Sequence, residues 1–270
     1  MNLRKLIFTE NACYKAGRTI IPKGIMVHST GANNPALKRY VGPDDGLLGK
    51  NQNNNHWNQA MPDGRQVCVH GFIGKLADGS IATYQTLPWN HRGWHCGSGS
   101  KGSGNDTHIS FEICEDGLAD AVYFATVYKE AAELCAYLCK VYGLNETNII
   151  CHSEGYKQGI ASNHGDVMHW FPKHGKSMDT FRAEVKKLLA EKEPLQPPEM
   201  PSAFQPYTVK VTADVLNIRK GSGTNTNVVG SIKDKGVYTI VEESSGVGAS
   251  KWGRLKSGAG WISLDFVQKR

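Results

Sequence analysis

GIMVHST (residues 24–30) and NIICH (residues 148–152) share one pattern, a short apolar run delivering a histidine to the expected strand end. Each run reads as a strand. The second run opens CHSEGYKQGIASNHGDVMHWF (residues 151–171), in which Asp166 comes fourteen positions after His152 within a loop rich in Gly, Asn and Ser. Two imidazoles, His28 and His152, and the Asp166 carboxylate would form an open three-ligand set, the pattern of a catalytic rather than a structural zinc. His164 and His169 compete with Asp166 for the third place, and spacing alone does not choose among them.

Outward from these runs, strand and helix signals alternate. Ile25–Ser29, Val67–Ile73, Ile81–Leu87, His108–Cys114 and Ile149–His152 read as strands, with a hairpin turn at Lys75–Ser80. Asp120–Tyr142 is the strongest helix, closed by Gly143, and Ser177–Glu193 is a second, with apolar residues at three- and four-residue steps. The pattern predicts an α/β domain over 1–190, a central mixed sheet flanked by helices. Four prolines between 194 and 201 mark a semi-rigid linker over 191–203. Beyond it, over 204–270, there are only short strands separated by Gly/Ser/Asn turns, which predicts a small all-β barrel.

Composition narrows the function classes. Hydrophobic residues at 40% and charged residues at 21% describe a globular chain, and no run of about 18 apolar residues suggests a membrane span or a stable membrane association. The N-terminus lacks the apolar core of a signal peptide, so synthesis and storage in the cytoplasm are expected. Seven cysteines without a CxxC pair read as reduced and mostly buried. Residues 1–202 carry 21 Lys+Arg against 20 Asp+Glu, whereas residues 203–270 carry 10 against 5. The excess positive charge therefore sits on the C-terminal quarter and suits an anionic surface. No basic helix or aromatic pattern points to nucleic acid.

A zinc hydrolase also needs a proton acceptor and an oxyanion partner. Glu112 is the candidate base, because an acid inside the strand HISFEIC (108–114) is costly unless it faces a polar cleft. His164 could reach the same cleft as an acid or electrophile.

Taken together, GIMVHST, HGFIGKLADGSIATYQTLPWNHRGWHCG (70–97), HISFEIC and IICHSEG…NHGDVMHWF resemble N-acetylmuramoyl-L-alanine amidases. The resemblance is to the zinc-dependent type shared with peptidoglycan recognition proteins and many phage endolysins, and it covers roughly residues 20–185. It implies one zinc ion held by His28, His152 and Asp166, Glu112 as the acidic catalytic residue, and His164 where relatives often carry lysine. Some relatives use a tyrosine where Val69 stands, which gives Glu112 more weight. The usual Asp-Pro-Gly reads Asp166-Val167-Met168, and the spacing from His152 is long. Trp94 and His95 resemble a Trp-His pair beside the substrate groove and could equally pack.

LNIRKGSGTNTNVVGSIKDKG (216–236) and KWGRLKSGAGWISLDFV (251–267) resemble a bacterial SH3-like wall-binding domain. There Tyr207, Arg219, Lys220 and Trp252 could line a peptide groove, although large aromatics ordinarily pack the core. The expectation is an endolysin that acts on bacterial peptidoglycan after release. A bacterial autolysin or sporulation amidase and a non-catalytic recognition protein are the alternatives.

Overall fold

The computed structural model describes residues 1–191 and 206–270. The chain divides into two compact units, Met1–Pro198 and Glu199–Arg270. The expected linker, Glu191 apart, and the expected last two residues of the second helix lie outside the described residues.

The first unit is built on a six-stranded mixed sheet in the order β1-β4-β3-β5-β2-β6. Its strands are β1 (Leu3–Lys5), β2 (Gly24–Asn33), β3 (Gly71–Lys75), β4 (Ile81–Gln85), β5 (His108–Glu115) and β6 (Ile149–Cys151). Only the β3–β4 hairpin is antiparallel; β2 lies between β5 and β6, parallel to both. Alternation along the central strands separates two buried faces rather than core from solvent. Ile25, Val27, Ile109, Phe111 and Ile113 join the core under the long helix, whereas Met26 and Cys114 belong to clusters on the other side. His28 and Glu112 share that second face and stand opposite one another in the β2–β5 register.

Helix α1 (Ala12–Lys15) is a single turn, and α2 (Ala121–Tyr142) is the long one. The Asp120 side chain caps α2 by accepting from the Val122 and Tyr123 amides, and Gly143 ends it in the left-handed region at φ 65°. Helix α3 (His152–Gln158) begins immediately after β6, so His152 opens a helix instead of ending a strand. In α4 (Met178–Ala190), Ser177 and Thr180 cap reciprocally, and Met178, Phe181 and Val185 bury against the α2 core.

One expected strand needs correction. Pairing over 67–73 begins only at Gly71; Cys68 makes an isolated bridge to Trp94. The reason is His70. Its amide donates to the Ser110 carbonyl at 2.9 Å, but its imidazole Nδ1 takes the Ser110 amide at 3.0 Å, where a second strand carbonyl would otherwise pair. Strand β1 and the short helices α1 and α3 carry no signal strong enough to be expected from sequence.

The second unit is an antiparallel sheet in the order β13-β7-β10-β11-β12-β8-β9. The strands are β7 (Tyr207–Val211), β8 (Leu216–Arg219), β9 (Val228–Ile232), β10 (Val237–Gly246), β11 (Ala249–Leu255), β12 (Trp261–Ser263) and β13 (Val267–Lys269). Val209, Val211, Leu216, Ile232, Ile240, Leu255 and Ile262 form its core. Among the described residues no ladder joins β9 to β13, so the sheet is open and the expected closure into a barrel is not observed. All seven cysteines of the chain are free thiols, six of them buried. Among the described residues no helix is long and apolar enough to cross a membrane.

Candidate metal centre

His28 and Glu112 reach the cleft from within the parallel strands β2 and β5, so His28 stands inside its strand instead of ending it, and His152 follows the end of β6. His28 arrives on β2, His152 on the first turn of α3, and Asp166 on the loop beyond it. Val167, Trp170 and Phe171 anchor that loop, because all three are fully buried in the α2 core. Each large apolar side chain buried this way contributes about 1.5–3 kcal/mol.

His28, His152 and Asp166 are all buried, and one ligand atom from each lies within 4.8 Å of the others. His28 Nδ1 is 3.0 Å from Asp166 Oδ2 and 3.2 Å from His152 Nδ1. His152 Nδ1 is 3.5 Å from Asp166 Oδ1. Ligands about 2.0–2.1 Å from a tetrahedral zinc stand about 3.3 Å apart; the His28–His152 separation and the His28 contact with Asp166 Oδ2 lie near that value, while His152 approaches the other carboxylate oxygen, Oδ1. Two imidazole nitrogens with one carboxylate also form a donor set suited to zinc. The residues therefore fit the ion.

The electrostatics agree with a cation-binding centre. Burial opposes ionisation of Asp166, yet hydrogen bonds with His164 and His28 hold its carboxyl well below the usual range. Burial and the neighbouring His28 push His152 down to about 4, which leaves its ring neutral and able to donate a lone pair. For His28 burial works downward, but the Asp166 bond and the charges of Asp166 and Glu112 raise it on balance.

His164 sits beside this group instead of replacing a member. Its Nδ1 contacts Asp166 Oδ1, its ring stacks on His152 with centroids 5.1 Å apart, and its side chain is 60% exposed. The Asp166 bond raises the His164 pKa. His169 faces away, with Nε2 at 2.9 Å from Glu115 Oε1. Glu112 lines the cleft with Oε2 buried and without a hydrogen-bond partner. Burial first, then the charges of Asp166 and Glu115, lift its carboxyl to about 7 against the pull of His28.

The cleft has a volume of about 460 Å³ and is also lined by Trp94, His95, Trp57, Arg65, Gln66 and Ser162. Trp94 is 42% exposed, with the Arg92 guanidinium 5.2 Å from its ring centre. His95 turns inward, its Nδ1 3.0 Å from His28 Nε2. Trp57, Arg65, Gln66 and Ser162 lie on connecting segments with no periodic signal, and sequence reasoning misses them.

In the second unit the candidate groove residues are engaged separately. Trp252 is 2% exposed and packs inside. The Tyr207 hydroxyl donates to Glu243 at 2.6 Å, and Arg219 donates to the Thr224 and Thr226 carbonyls at 3.1 and 2.7 Å. Lys220 is exposed.

The fold and site define a hydrolase-like α/β unit with a buried His-His-Asp centre. A family model described as N-acetylmuramoyl-L-alanine amidase matches residues 17–167, more than half of the chain, and the chain belongs to that family. The N-acetylmuramoyl-L-alanine amidase XlyA of Bacillus subtilis (strain 168) is 39% identical over 69 residues, which are 26% of this chain and 22% of XlyA. CwlH of the same organism, also an N-acetylmuramoyl-L-alanine amidase, is 34% identical over 71 residues, 26% of this chain and 27% of CwlH. The chain thus spans about a quarter of the length of the curated relatives it matches. Among solved structures, PlyL is similar at TM-score 0.48 and 21% identity, covering 69% of this chain and 96% of that one. The catalytic domain of XlyA is similar at TM-score 0.48 and 24% identity, covering 68% and 99%.

Proposed function

We propose that this chain is a zinc-dependent endolysin that hydrolyses the amide between N-acetylmuramic acid and L-alanine in bacterial peptidoglycan. The observation that carries the reading is the buried, unpartnered Oε2 of the half-buried Glu112, which lines the same open cleft as His28, His152 and Asp166. Family membership supports the amide bond as the target, and the motif resemblance supports the endolysin role.

His28, His152 and Asp166 hold the ion, which when bound supplies Lewis acidity toward water and the scissile carbonyl. Glu112 is poised near neutrality, so its carboxylate accepts a proton from the attacking water and returns it to the departing alanine amine. His164, which lines the cleft and whose pKa the Asp166 bond raises, is the group we assign to steady the oxyanion. Trp94, exposed at the cleft, offers a face to the glycan or the stem peptide. The second unit is proposed as an SH3-like wall-binding module. Its excess positive charge supports attachment to an anionic wall, where tethering raises the local concentration of bonds to cut.

The test is digestion of purified Gram-positive walls by the chain alone, with chelator, and with chelator and then added zinc. New amino-terminal alanine that zinc restores, without new reducing sugar ends, is expected. Wall binding without new termini would leave a recognition protein.

A further inference from the structure

His28 and His152 each carry two ring nitrogens, and only one per ring can serve the centre. On both rings that atom is Nδ1, and the two Nδ1 atoms lie 3.2 Å apart beside Asp166. The remaining nitrogen of each ring ends on a residue outside the cluster. His28 Nε2 is 3.0 Å from His95 Nδ1, with the rings edge-on at 76°. His152 Nε2 is 3.4 Å from Ser162 Oγ.

Ser162 has one proton to give, and its hydroxyl donates to the Cys96 carbonyl at 3.2 Å. A hydroxyl committed in this way can only accept from His152, so Nε2 of that ring carries the hydrogen and Nδ1 keeps its lone pair. The same assignment holds on His28 if His95 Nδ1 accepts. His95 is then a neutral ring with its hydrogen on Nε2, an atom that is buried and without a partner.

The two partners also belong to one frame. The Ser162 amide donates to Cys96 at 2.8 Å. Asn105 Oδ1, fully buried, accepts from the amides of His95 and Cys96 at 2.7 and 3.2 Å, while its Nδ2 donates to Gly97 at 3.0 Å. Asn105 therefore holds the 95–97 segment, and Ser162 clasps it.

We propose that His95 and Ser162 are positioning residues that lock His28 and His152 in the Nε2–H tautomer, with both Nδ1 lone pairs turned toward the metal. The inference rests on the metal-centre reading above. It assigns His95 to the ligand His28 rather than to substrate. Outer partners of this kind tune metal affinity as well as orientation.

The test uses the full chain, stripped and reloaded with one equivalent of zinc. Long-range proton–nitrogen NMR reads the tautomers, and competition with a chromophoric chelator reads zinc affinity. His28 and His152 should each show a protonated Nε2 and a coordinated Nδ1. His95→Ala and Ser162→Ala should each weaken zinc binding by about 10- to 100-fold. His95→Gln, whose amide oxygen can accept the same N–H, should regain much of the loss. Coordination through Nε2 overturns the proposal. So does wild-type zinc affinity in both alanine variants, even if their apo forms melt earlier, and in that case the metal centre itself still stands. A wild-type chain that binds no zinc removes both.

Discussion

In the first unit, His28, Glu112, His152 and Asp166 come from four separate stretches of chain and meet, mostly buried, at one end of a sheet. In the second, Tyr207, Arg219, Lys220 and Trp252 stand out by residue type and resemblance, yet each is engaged on its own or exposed. The difference lies in what burial costs. A carboxylate such as Glu112 is expensive to bury without a partner, so its presence at a cleft needs a chemical reason. A buried tryptophan has its reason already, in the apolar area it removes from water.

The contrast can be broken most sharply at Glu112. Glu112→Gln should lower wall hydrolysis by about 10²- to 10⁴-fold while zinc affinity stays near wild type. A variant that retains activity would return Glu112 to a structural role. In the second unit Trp252→Ala should act on stability instead, costing about 3–5 kcal/mol in denaturant unfolding of that unit. A change in wall retention without loss of stability would restore Trp252 to the groove.

His70 gives a pH-dependent test in the first unit. Burial pushes its imidazole from the ordinary 6.5 down to about 4. The unfolded chain therefore takes up this proton first as pH falls. The contribution is complete above about pH 6.5, fades as pH drops toward 4, and amounts to about 3 kcal/mol in all. Unfolding free energies measured from pH 7 to 4 should show the slope in the wild type and a shallower one in His70→Gln. The smallest effect is expected at Lys220. Lys220→Ala should leave stability within about 0.5 kcal/mol and weaken retention on purified walls, and unchanged retention would remove it from the wall contact.

Much of the sheet is legible in the sequence because GIMV and NII are short apolar runs and HISFEIC alternates apolar with polar residues. Helix α2 announces itself through Asp120, its apolar stripe and Gly143. The error over 67–70 comes from a side chain substituting for backbone, since periodicity cannot show that the His70 ring takes the Ser110 amide. Closure of the second sheet is equally out of reach, because short Val/Ile strands suit an open sheet as well as a barrel. At the site, His28 and His152 stand out through their matching strand context. Asp166 is separated from His164 and His169 only in three dimensions, by the buried Val167, Trp170 and Phe171 that place its loop. His95 meets His28 across 67 positions of sequence, a contact that no local pattern encodes.

X-ray absorption at the zinc edge of the reloaded full chain tests the central claim most directly. Two imidazole nitrogens and light oxygen or nitrogen scatterers about 2.0–2.2 Å from zinc, with one imidazole lost in His28→Ala, are the predicted result. Sulfur scatterers, or a spectrum that His28→Ala leaves unchanged, would contradict a centre made by His28, His152 and Asp166.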